Sequence, residues 1–121
     1  MTRGAVTGGR LPRPGGALYF EVADLTPPWV EDPPLIVFHH GVGAPADLWA
    51  GWLPALVGRY RIARFDTLGF GRSAVPGPGF RWSLDGLADD VRAVSRAAGA
   101  ERVHLVGESL GGPVALPLAV R

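Results

Sequence analysis

With 121 residues, 47% of them hydrophobic, and a formal net charge of +1, the chain is suited to a globular domain and too apolar for a disordered one. All twelve basic residues are arginine and lie scattered among eleven acids, so the basic stripe that nucleic-acid binding needs is missing. The absence of cysteine excludes disulfides and thiolate metal sites.

In chain order, residues 1–16 are rich in glycine and arginine with no apolar run, and read as a flexible N-terminal segment. They form neither a secretory core nor a membrane span, so a soluble cytoplasmic protein is the default expectation. Residues 17–121 carry the elements. Ala17–Ala23 reads as a strand, and Asp24–Pro34, with four prolines, as a stiff loop. Leu35–Phe38 is a continuous apolar run of the kind found in strands buried on both faces. Asp47–Val57 reads as a helix, in which Trp49 and Trp52 are expected to pack rather than to line a substrate, and Tyr60–Phe65 as the next strand. Leu84, Leu87, Val91, Val94 and Ala98 then recur at helical intervals, with Ser83 as N-cap and Gly99 as the stop. Strand Arg102–Val106 follows, and beyond Gly112 the pattern is an apolar helix with Pro113 in its first turn. This alternation predicts an α/β fold: a mostly parallel sheet with helices on both faces and right-handed crossovers. Ligand sites in such sheets lie at the C-terminal ends of the strands.

Three strand ends carry unusual residues. The last is Gly107-Glu108-Ser109-Leu110-Gly111, a G-x-S-x-G turn between an apolar strand and an apolar helix. A nucleophile held at the apex of so tight a turn needs small residues two positions before and after it, where side chains would collide. The geometry exposes the Ser109 hydroxyl and turns the Leu110 N–H toward a developing oxyanion. A serine also needs a base, and in this arrangement the acid and the histidine follow it in the chain. Twelve residues follow Ser109, none of them Asp, Glu or His, so the expected reading is the N-terminal half of a larger enzyme.

After Phe38 comes His39-His40-Gly41-Val42-Gly43, and after Phe65 comes Asp66-Thr-Leu-Gly69-Phe-Gly71-Arg72-Ser73. In order and spacing the three motifs resemble the α/β-hydrolase family, with its H-G-x, D-x-x-G-x-G-x-S and G-x-S-x-G turns. From His40 through Gly112 the chain looks most like the small serine esterases and 3-oxoadipate enol-lactonases. The resemblance covers about Tyr19 to Arg121. It implies Ser109 as nucleophile, the backbone N–H groups of Val42 and Leu110 as oxyanion hole, and His40, Gly41, Gly107 and Gly111 as residues that shape the turns. It implies a small acyl substrate, no metal and no organic cofactor, and no nucleic-acid or membrane partner; oligomeric state stays open.

His40 precedes the serine and is not read as the base, and adjacent His39 and His40 point to opposite faces, which disfavours a metal site. His104, inside the strand leading to the elbow, reads as a partly buried structural histidine, and Asp66 and Arg72 as a brace for their own loop. Two other function classes compete. Gly41-Val-Gly43-Ala-Pro-Ala46 fits a dinucleotide-binding G-x-G-x-x-G/A, with Asp66 at the end of the next strand to meet a ribose. The other is a noncatalytic hydrolase-fold binding protein.

Overall fold

The computed structural model describes residues 5–40, 53–100, 102–107 and 113–114. Five strands form one sheet in the order β1-β2-β4-β3-β5: β1 Ala5–Arg13, β2 Gly16–Asp24, β3 Leu35–His39, β4 Arg61–Phe65 and β5 Val103–Gly107. Helix α1 spans Leu53–Leu56, within the expected Asp47–Val57, and α2 spans Leu84–Ala97. Residues 47–52, including Trp49 and Trp52, lie outside the described residues.

The parallel part is β4-β3-β5, as the strand–helix alternation requires. The antiparallel hairpin β1–β2 extends it through an antiparallel β2–β4 pair, so the sheet as a whole is mixed. β1 corrects the expectation of a flexible start. Its composition, with Gly8, Gly9 and Pro12, is poor for a strand, and nothing in its own sequence would hold it extended. Pairing over its whole length with β2 supplies the missing energy, and Pro12 is tolerated because β1 is an edge strand. The turn is Pro14–Gly15, with Gly15 at φ 97° and Gly16 at φ 133°.

β3 lies between β4 and β5 and is buried along its whole length, which is why its residues are apolar on both faces. Leu35 and Val37 face one core with Leu18, Val22, Ala63 and Phe65, closed by the α2 residues Leu87, Ala88, Val91, Val94 and by Val114. Ile36 and Phe38 face a second core with Ala23 and Ile62, against which Leu56, Val57 and Tyr60 pack. Helical segments therefore cover both faces.

The boundaries of α2 follow its capping residues. Ser83 is extended, and its hydroxyl accepts the Gly86 N–H; after the C-cap Ala98, Gly99 turns the chain at φ 73°. Ser83→Ala is expected to lower stability by about 1 kcal/mol, read from the denaturant midpoint at unchanged m-value.

Candidate active site

The strand order places the ends of β4, β3 and β5 side by side, and the β3–β5 register sets His39 opposite Gly107. The three motifs thus leave one end of the sheet together, the C-terminal end of its parallel strands. His40 and Gly107 are described there; Gly41, Val42, Ser109, Leu110 and Gly111 lie outside the described residues, as does the Gly41–Ala46 fingerprint.

The turn after β4 shows why its motif needs those residue types. The Asp66 carboxylate is fully buried and accepts the Arg72 N–H at 2.9 Å and the Arg72 Nε–H at 3.2 Å. Gly71 passes over it at φ 52°, so close that a Cβ there would stand 2.5 Å from Asp66 Oδ2. Gly69, at φ 87°, donates its N–H to the Ala74 carbonyl, and the Ser73 hydroxyl bonds the Asp66 carbonyl while accepting the Tyr19 N–H. The acid, both glycines and the serine are therefore bonded or closely packed parts of one turn, stitched to β2. Asp66 and Arg72 brace the loop as expected.

Sequence reasoning missed the extension of this brace across the sheet. Arg72 stacks on the Tyr19 ring, 3.9 Å from its centroid, and reaches Glu21, which also binds Arg64 and the Tyr19 hydroxyl. The register Glu21↔Arg64 explains the pairing, and only the unforeseen antiparallel β2–β4 contact makes it visible. The Tyr19 hydroxyl, donating to the Glu21 carboxylate, is held above its usual pKa.

His39 and His40 are both buried. His40 Nε2 accepts the Thr67 N–H at 2.8 Å and so ties the end of β3 to the end of β4. His39 Nδ1 lies 2.9 Å from the His40 carbonyl. Because a carbonyl only accepts, Nδ1 carries the proton and Nε2 the lone pair. Among the described residues Nε2 has no partner, nor has the buried Thr67 hydroxyl. Burial pushes His39 below the usual histidine range, with the nearby His40 acting in the same direction and the bond to the His40 carbonyl against it.

That shift has a pH signature. The unfolded chain takes up this proton as pH falls through about 6.5, whereas the folded ring resists it, so folding is progressively weakened below that pH. Between pH 7.5 and 5.5 folding is therefore expected to weaken through His39. Denaturant titrations of the native chain and His39→Leu at both pH values isolate the effect: the variant's stability should fall less as the pH drops.

His104 departs from its expected burial. It is exposed on β5, with its ring edge-on to Tyr60 at 6.1 Å. It pairs with Ile36, toward the start of β3, away from the end where the motifs meet. A pocket of about 150 Å³ lies between the β1–β2 turn and the first turns of α2, lined by Arg13, Phe80, Trp82, Leu87 and Asp90 among others. In it the Arg13 guanidinium sits 2.7 Å from Asp90, yet burial outweighs that cation and holds the carboxyl above its ordinary range. Among the described residues no cluster of side chains has the make-up of a metal site.

A family model described as "alpha/beta hydrolase fold" matches residues 34–121, a span that holds all three strand-end motifs. The chain belongs to the α/β-hydrolase family. Among relatives, a pimeloyl-[acyl-carrier protein] methyl ester esterase of Aeromonas hydrophila is 42% identical over 87 residues, covering 72% of this chain and 32% of that protein. The 3-oxoadipate enol-lactonase 1 of Acinetobacter baylyi is 34% identical over 90 residues, with 74% and 33% covered. A crystal structure of a hydrolase from Pseudomonas aeruginosa superposes with a TM-score of 0.79 at 31% identity, over 94% of this chain and 41% of that one. This α/β-hydrolase chain thus spans about a third of the length of the curated relatives it matches. Within the family's sheet, Asp66 is committed to Arg72 and buried beneath Gly71, which removes the ribose contact that a dinucleotide site would require.

Proposed function

We propose that the protein is a serine hydrolase that cleaves an ester, lactone or similar acyl substrate through an acyl-enzyme on Ser109. The observation that carries this reading is the His39↔Gly107 register. It starts the G-x-S-x-G turn beside the H-G turn, on the same end of the sheet. Relatives named as an esterase and an enol-lactonase support the same substrate class.

In this reading the Ser109 oxygen attacks the acyl carbon while its proton passes to a histidine base. The oxyanion accepts the N–H groups of Val42 and Leu110, each worth on the order of 3 kcal/mol in the transition state. The alcohol leaves with the proton, and water then cleaves the acyl-enzyme by the same path in reverse. His40, Gly41, Gly107 and Gly111 shape the two turns, and neither a metal nor an organic cofactor takes part.

The protein expressed from its whole reading frame is expected to react with a fluorophosphonate at one site. Mass spectrometry of the digested adduct should place the phosphonyl group on Ser109. A label on another residue, or no reaction with the folded protein, would refute the assignment.

A further inference from the structure

Two features that folding does not explain meet in the pocket between the β1–β2 turn and the start of α2. The first is Asp90, which lines it and is only 6% exposed. Its Oδ1 accepts the Arg13 Nε–H at 2.7 Å, but among the described residues its Oδ2 has no partner. A buried carboxylate with one oxygen unbonded is costly, and a single cation does not offset it: burial still holds Asp90 above the ordinary carboxylate range. The second is Trp82, an indole large enough to anchor a core and yet 52% exposed.

We infer that this pocket is a binding site for a small aromatic amine, whose ammonium bonds Asp90 while its ring lies against Phe80 and Trp82. The walls suit a flat ring. Phe80 and Trp82 stand edge to face with centroids 4.9 Å apart, and Leu87 adds an apolar side. Phe80 is itself seated on the hairpin turn, so closely that a Cβ on Gly15 would stand 2.6 Å from its ring. The pocket's volume of about 150 Å³ is that of a cavity able to take up benzene. Charge decides among ligands of that size. The other two charged residues of the lining, Arg81 and Asp89, are exposed, opposite in sign and screened by water. The unbonded oxygen of buried Asp90 is therefore the group a ligand must satisfy, and an ammonium does so with a charge-assisted bond.

Benzylamine, protonated at pH 7.5, is the probe, and the readout is the Trp82 indole N–H signal in the NMR spectrum, identified by its loss in Trp82→Phe. In the protein expressed from its whole reading frame, benzylamine is expected to shift that signal saturably, with a Kd on the order of 1 mM. Benzyl alcohol, of the same shape but uncharged, should bind roughly tenfold more weakly, and benzoate should leave the signal in place. Asp90→Asn should weaken benzylamine roughly tenfold and benzyl alcohol little. An unmoved Trp82 signal, benzyl alcohol or benzoate binding as tightly as benzylamine, or full benzylamine affinity in Asp90→Asn would overturn the inference. Should Asp90→Asn not fold, the comparison of the three probes on the native protein decides it.

Discussion

Purified as these 121 residues, the chain is expected to hydrolyse p-nitrophenyl acetate about 10⁶-fold more slowly than a serine hydrolase with its full triad. The reason is chemical. Each of the chain's three histidines is poorly suited to act as a general base, and for His39 the reason is burial, which disfavours its protonated form. His40 has its Nε2 occupied by the Thr67 N–H, His39 is fully buried with Nδ1 bound to the His40 carbonyl, and His104 sits against Tyr60 toward the other end of the sheet. Without a base the serine hydroxyl is a poor nucleophile at neutral pH, and oxyanion donors by themselves retain on the order of 10³-fold over water. Ser109→Ala should accordingly change the residual rate of the 121 residues little. The measurement is initial-rate hydrolysis by both chains at equal concentration. Vigorous turnover that vanishes in Ser109→Ala would show that a base operates within these residues.

Gly71→Ala should cost about 3 kcal/mol or more of folding stability. Two effects add. The residue sits at φ 52°, where a side chain costs roughly 1–2 kcal/mol, and its Cβ would press against the Asp66 carboxylate. That carboxylate cannot retreat, because it is fully buried and bonded to the N–H and guanidinium of Arg72. Displacing it breaks a buried charge-assisted network, a further loss of roughly 1–3 kcal/mol. Gly77→Ala is the matched control, since its Cβ meets nothing within 4 Å and its φ is not positive. Chemical denaturation of both variants should show a large fall for the first, and for the second no loss or a gain of up to about 1 kcal/mol. Equal, small changes would mean that the turn does not depend on the packing of Gly71 over Asp66.

How legible each part was in the sequence depended on the range of the forces that shape it. α2 was read almost residue for residue, because its cap, periodicity and stop are contacts within a few positions: Ser83 with Gly86, Leu87 with Val91 and Val94, Gly99 with Arg96. The burial of β3 followed from an apolar run whose period no single buried face explains. The strand-end motifs were legible because tight turns limit residue type, as Gly71 over Asp66 demonstrates. Only the tertiary structure decided the rest. β1 is extended because β2 pairs with it, and a sequence so rich in glycine carries no local sign of that. The Tyr19–Glu21–Arg64–Arg72 brace depends on strands distant in the chain meeting in one register. His104 is exposed because β5 lies at the edge of the described sheet. The sequence expectation that His39 and His40 point to opposite faces does not hold, because His40 lies past the end of β3: both rings pack on Phe65 with centroids 5.9 Å apart, and their different bonding follows from the partners each meets there. Residue types set the chemistry available at each strand end; the partners across the sheet settled which atoms were already engaged.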